Sequence, residues 1–166
     1  MRISHIAVAL LAFGLAFPSG SPAQGTSPPF SITIDAPEGT AKLGSPLEIT
    51  ITLTNTSGKS ALFYFDNGNN PAFDYTFKVE NQQGQEPRKT KYFRATMAQD
   101  NDQPGTVIVH SFGLRSVKAD GTFTESVDLF KLYDLQPGKY SVYVERIDPD
   151  TKTIVKSNTI TIAVTP

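Results

Sequence analysis

Leu47-Glu48-Ile49-Thr50-Ile51-Thr52-Leu53-Thr54 is the stretch on which the fold turns. Apolar and polar residues alternate along it without a slip, the period of a strand with one face in a core and one in water. The polar positions are mostly threonine, whose branched Cβ suits an extended backbone. Asn55-Thr56-Ser57-Gly58-Lys59 then ends the run with turn chemistry. Outward from here the same period recurs. Phe30, Ile32 and Ile34 alternate before it. Phe73, Tyr75, Phe77 and Val79 alternate after it. Phe123, Glu125, Val127 and Leu129 form a further run, with Glu125 an awkward charged member of an inward set. Near the end, Tyr140, Val142 and Val144 alternate, as do Ile160, Ile162 and Val164.

Between these runs lie Asp66-Asn67-Gly68-Asn69-Asn70-Pro71, Asn81 to Pro87 and Asp148-Pro149-Asp150, all rich in turn formers. Ser60 to Phe65 is a dense apolar strand, expected to be packed on both faces. Tyr92 to Met97 and Thr106 to Phe112 are expected to be strands, and Asp120-Gly121 a tight hairpin turn. One helical turn is expected within Leu129 to Leu135, and no amphipathic helix elsewhere. Seven to nine short strands separated by turns predict an all-β fold, a two-sheet antiparallel β-sandwich.

The chain has 166 residues. It opens with Arg2, an apolar run from Ile6 to Phe17, and a small-residue segment ending Ser21-Pro22-Ala23. This is the layout of a secretory signal peptide cut after Ala23. The apolar run is shorter than the roughly 20 residues that a membrane-spanning helix needs. The division is therefore a signal peptide over 1–23, a flexible lead-in over 24–29 and one domain over 30–166. An exported location follows, periplasmic or extracellular, with no membrane span in the mature chain. The formal net charge of −1 becomes one unit more negative when Arg2 leaves, so nucleic acid is not the expected partner. There is no cysteine, so stability rests on packing and hydrogen bonds. The oligomeric state is not legible.

Catalytic groups are scarce. His110 is the only histidine beyond the leader, and it sits in an apolar strand-like run. No nucleophile elbow and no phosphate-binding glycine loop occurs. The chain is therefore expected not to be an enzyme and to need no cofactor. Asp66, Asn67, Asn69, Asn70 and Asp74 offer hard oxygen donors, as do the pairs Asp100 and Asp102, and Asp148 and Asp150. Ordinary turn chemistry accounts for them first. The run Arg88-Lys89-Thr90-Lys91, with Arg94, is read as charge guarding an edge strand.

Leu132-Tyr133-Asp134-Leu135-Gln136-Pro137-Gly138-Lys139-Tyr140-Ser141-Val142 carries a more specific pattern, L-x-P-G-x-Y leading into a strand. It resembles the corner before the penultimate strand of immunoglobulin-like domains, as found in exported bacterial proteins. The resemblance implies that Tyr140 ties its hydroxyl back to the loop before it. Gly44 to Gly58 and Lys156 to Ile160 resemble the opening and closing parts of such domains. The order of the Gly121 to Leu129 strand and the Pro-Gly-x-Tyr corner is also similar to the intracellular proteinase inhibitor family of bacilli. The scarcity of catalytic groups makes the expectation a non-catalytic binding or structural module, with an exported protein or a carbohydrate as partner; the alternatives are a proteinase inhibitor presenting a loop, as the second resemblance implies, and an enzyme built on paired carboxylates or on His110. Expected binding-loop residues are Asp66, Asn67, Asn69 and Asn70 in one loop and Asp148 and Asp150 in another, the loops lying at opposite ends of the domain.

Overall fold

The computed structural model describes residues 28–36, 38–66, 70–97 and 111–166. The expected signal peptide, and Asn67, Asn69, His110, Asp100 and Asp102, lie outside the described residues. The fold is all-β. Among the described residues the three short helices are α1 (Pro71–Asp74), α2 (Lys91–Thr96) and α3 (Leu129–Leu132).

The Leu47–Thr54 run forms the centre of one sheet. In β3 (Glu48–Asn55), Ile49, Ile51 and Leu53 are wholly buried and the threonines face outward. β3 pairs antiparallel with β1 (Phe30–Asp35) and with β7 (Thr122–Asp128). The second sheet runs β2 (Thr40–Lys42), β10 (Ile160–Thr165), β8 (Gly138–Ile147) and β5 (Thr76–Asn81), with β9 (Ile154–Lys156) paired to the end of β8. β10 and β2 are parallel, whereas β8 is antiparallel to β10 and β5. Inward residues of both sheets, including Ile51, Leu53, Val79, Val142, Val144 and Ile162, meet in one core. Burying each such side chain contributes about 1.5–3 kcal/mol. Asn158 clips the sheets together: its side chain accepts from the Ile34 amide at 2.8 Å and donates to the Ile34 carbonyl at 2.9 Å.

The strands number ten among the described residues, more than the expected seven to nine, because β2 and β9 are only three residues each. A two-stranded ribbon makes up the rest: β4 (Ala61–Asp66) against β6 (Phe112–Val117). This ribbon prolongs the β3–β7 pair past a break. Thr54 faces Thr122 and Ala61 faces Val117, so residues 55–60 oppose the shorter stretch 118–121. Asn55 fills the break from a fully buried position. Its amide nitrogen donates to the carbonyls of Lys59, Val117 and Lys118 at 2.7, 2.8 and 3.0 Å. Its oxygen accepts from the Ser57 amide and hydroxyl at 3.0 and 2.7 Å. Backbone bonds between Asn55 and both Asp120 and Gly121 complete the knot.

Asp120-Gly121 therefore sits at a bulge and not at a hairpin reversal, since β6 and β7 both pair with the β3–β4 stretch and not with each other. A Lys118–Gly121 turn bond supplies the local tightness, with Asp120 at φ +57°. Ser60 to Phe65 is not packed on both faces. Phe63 and Phe65 are buried, but Leu62 and Tyr64 point to solvent.

Tyr92 to Met97 is helical, not extended. Thr90 caps α2 by accepting from the Phe93 amide at 3.0 Å, and Phe93 packs on Tyr133 with ring centroids 5.7 Å apart. The basic run is thus a helix entry and not an edge strand: Arg94 bonds back to the Lys89 carbonyl, and Lys89 lies over Phe93. Of the expected Thr106–Phe112 strand, 106–110 lies outside the described residues, and β6 begins at Phe112. The helical turn after Leu129 is present as α3, capped by Asp128. At the corner before β8, the Tyr140 hydroxyl accepts from the Gln136 amide at 2.9 Å and donates to the Gln136 carbonyl at 2.8 Å.

Candidate functional site

Carrying β4 past the break brings its outer end beside the end of β8. The two meet where Arg146 of β8 donates a hydrogen bond to the Tyr64 carbonyl of β4. Between them opens a groove of about 1130 Å³. Its walls include Leu62, Tyr64, Phe112 and Ile147. These large apolar side chains are 63%, 56%, 57% and 61% exposed. Leu114, opposite Tyr64 in the ribbon, continues the apolar face. The alternation of β4 and β6 explains it, since Leu62, Tyr64, Phe112 and Leu114 all occupy outward positions. A contiguous exposed patch of this kind marks an interaction surface far more often than scattered single residues do.

The predicted binding loops do not lie at opposite ends. Ala72, Phe73 and Asp74, just after the first loop, line the same groove as Asp148, Pro149 and Asp150 of the second. Within the loops, the predicted residues are occupied with backbone. Asp66 is buried and accepts from the Asn70 amide at 3.2 Å, while its own amide donates to the Asp74 carboxylate at 3.0 Å. Asn70 caps α1 through the Ala72 amide at 3.2 Å. Asp148 is almost fully buried and gathers the Asp150 amide and the Thr151 amide and hydroxyl. Asp150 stands at the rim. Among the described residues, no group of three or more histidine or carboxylate side chains is placed to hold a metal ion. No helix there is long and apolar enough to cross a membrane.

Beneath the groove lies a set of polar side chains that was only partly foreseen. Arg146 occupies the inward position two beyond Val144 and is 9% exposed. Its guanidinium sits over the Phe65 and Tyr75 rings, at 4.6 and 5.2 Å from their centroids. Glu125 faces it from β7, between inward Phe123 and Val127. Tyr75 stands next to both. Among the described residues, Tyr75 Oη, Glu125 Oε2 and Arg146 Nη1 are buried without a fully formed hydrogen bond, although the Tyr75 hydroxyl lies near enough to Glu125 and to Arg146 to act on both. Arg115 of β6 stacks on Phe123 at 3.9 Å.

Burial raises the Glu125 pKa to about 7, the nearby Asp74 charge adds to the rise, and Arg146, Tyr75 and Arg115 oppose it. Burial likewise raises Asp74, against the Asp66 amide and Arg146. The Tyr75 hydroxyl is pushed well above its usual range, chiefly by burial. Sequence alternation placed Glu125 inward. Arg146 continues the inward period of Tyr140, Val142 and Val144 by one step, although its charge by itself argues for the surface.

No protein-family model matches the chain, and no curated protein matches it.

Proposed function

We propose that the chain is an exported, non-catalytic binding module with an immunoglobulin-like β-sandwich fold, taking apolar side chains of a partner protein into the groove between β4 and the end of β8. The convergence of Leu62, Tyr64, Phe112 and Ile147 on one groove carries this reading. Aliphatic and aromatic walls favour the side chains of a polypeptide over a carbohydrate, which wants planar stacking surfaces amid many hydrogen-bonding groups. The strand orders β1-β3-β7 and β2-β10-β8-β5 support the immunoglobulin-like assignment, as does the Tyr140 corner. The leader over Met1 to Ala23 supports export.

The test is site-specific photo-crosslinking among the exported proteins of the native host. A crosslinker at position 64 is expected to trap one discrete partner. A crosslinker at Thr33, on the outer face of β1, is expected to trap none. Equal labelling from both positions, or none from 64, overturns the reading. One observation favours a proteinase inhibitor as the second reading: Asp148 fastens the 148–153 loop rigidly, with Lys152 at φ +60°. Slow cleavage without inhibition across a panel of extracellular proteases excludes it.

A further inference from the structure

The buried set under the groove joins parts of the molecule that the backbone ladders leave separate. Glu125 belongs to the β1-β3-β7 sheet and Arg146 to the sheet of β8. Tyr75 follows α1. Across this junction, one acceptor (Glu125 Oε2), one donor (Arg146 Nη1) and one hydroxyl able to do either (Tyr75 Oη) lie buried without a fully formed hydrogen bond among the described residues. They are mutually complementary. The other guanidinium nitrogen, Nη2, is already bonded to the Tyr64 carbonyl in the groove wall. Arg146 therefore holds the groove wall through Nη2, while Nη1 stays buried in a guanidinium whose charge acts on Glu125.

We propose that Glu125, Tyr75 and Arg146 form a proton-operated latch between the two main sheets: ionised Glu125 takes up Arg146 Nη1, and protonated Glu125 leaves the guanidinium bonded to Tyr64 alone. The proton is exchanged with solvent, and Arg146 stays charged throughout. The groups acting on Glu125 from each neighbouring element are Asp74 at the end of α1, Tyr75 before β5, Arg146 of β8 and Arg115 of β6. Asp66 of β4 adds its charge to Asp74. Asp74 opposes ionisation of Glu125, whereas the two arginines and the Tyr75 hydroxyl favour it, as does closure itself. The midpoint of Glu125, raised by its burial to about 7, puts the latch in a range that an exported protein can meet.

The sign for stability follows. A carboxyl whose folded pKa lies above its unfolded value holds its proton more tightly when folded, so its stabilising share is full below about pH 4.5 and is lost as pH rises toward 7. Closing the latch only partly offsets the desolvation of the two charges.

The experiment is NMR of the whole chain between pH 5 and 8, following the Glu125 carboxyl carbon and the Arg146 guanidinium nitrogens. Both readouts are atom-specific, so titration of His5 or His110 does not interfere. The carboxyl is expected to titrate near 7, and slowed rotation of the Arg146 guanidinium is expected to set in with the same midpoint. Glu125→Gln is expected to abolish the Arg146 response and to flatten the fall of melting temperature with pH. A Glu125 midpoint in the ordinary range for glutamate overturns the proposal, as does an Arg146 signal that ignores pH. The wild-type titration alone decides it, even if the variant were to fold poorly. No binding partner is needed, so the latch and the groove reading fail separately.

Discussion

Asn55 and Glu125 are both polar residues at inward positions of adjacent strands, and their surroundings treat them in opposite ways. Every polar atom of the Asn55 side chain is used. Its amide holds the Lys59, Val117 and Lys118 carbonyls and its oxygen holds Ser57. Glu125 leaves one oxygen buried and unpaired, beside a hydroxyl and a guanidinium nitrogen in the same condition. Buried polar groups that are fully paired rigidify, whereas partly paired ones cost free energy and leave room for a second arrangement. The Asn55 knot is accordingly the fixed point on which the β4–β6 ribbon is hung. The Glu125 set, under the groove, is the part able to change.

The contrast is broken hardest at Asn55. Asn55→Ala strands the buried Val117 carbonyl, where an orphaned group costs about 1–3 kcal/mol, and leaves the part-buried Lys59 and Lys118 carbonyls without their donor. A loss on the order of 3 kcal/mol is expected in chemical denaturation, with Asn55→Asp at least as damaging because it presents a carboxylate to three carbonyl oxygens. A loss under about 1 kcal/mol for Asn55→Ala would mean that the knot is not what fixes the break.

Arg146→Met tests the other side with a smaller effect. Methionine keeps apolar contact with Phe65 and Tyr75 but removes the charge and the bond to Tyr64. Replacing a buried ion by an apolar side chain is often nearly neutral, so a loss of about 1–2 kcal/mol is expected, mostly from the abandoned Tyr64 carbonyl. Because Arg146 lowers the Glu125 pKa, its removal is also expected to move the Glu125 midpoint upward, read from the carboxyl carbon. A downward move would show that the two groups do not share a field.

The two regions also differ in how far the chain discloses them. Strict alternation made the core of both sheets legible: Ile49, Ile51 and Leu53, then Val142, Val144 and Ile162, are where period two puts them. It placed Glu125 inward as well. Asn55 was legible as turn chemistry but not as a buried knot, because Asn-Thr-Ser-Gly reads the same whether a chain reverses or one strand bulges. From Asp120-Gly121 a hairpin was the natural inference, while the actual pairing depends on residues more than sixty positions away. The nearness of the two loops across the groove likewise rests on contacts between residues far apart in the chain, which local turn chemistry does not disclose. Arg146 escaped because charge argues for the surface, although a long stem can carry a guanidinium over buried rings.

The finest test of the comparison is Tyr75→Phe. It deletes a buried hydroxyl that has no fully formed hydrogen bond among the described residues and keeps the ring over which Arg146 sits. An ordinary buried tyrosine loses about 1 kcal/mol or more on such a change, because its partner is stranded. Tyr140→Phe supplies that reference, since its hydroxyl is bonded twice to Gln136. Tyr75→Phe is expected to stay within about 0.5 kcal/mol of the native chain, or to stabilise it slightly, at pH 5, where Glu125 is protonated. At pH 8 it is expected to cost more than at pH 5, because ionised Glu125 then loses a donor. Equal effects of Tyr75→Phe at the two pH values would separate the hydroxyl from the titration of Glu125. The latch would then reduce to Glu125 and Arg146 alone.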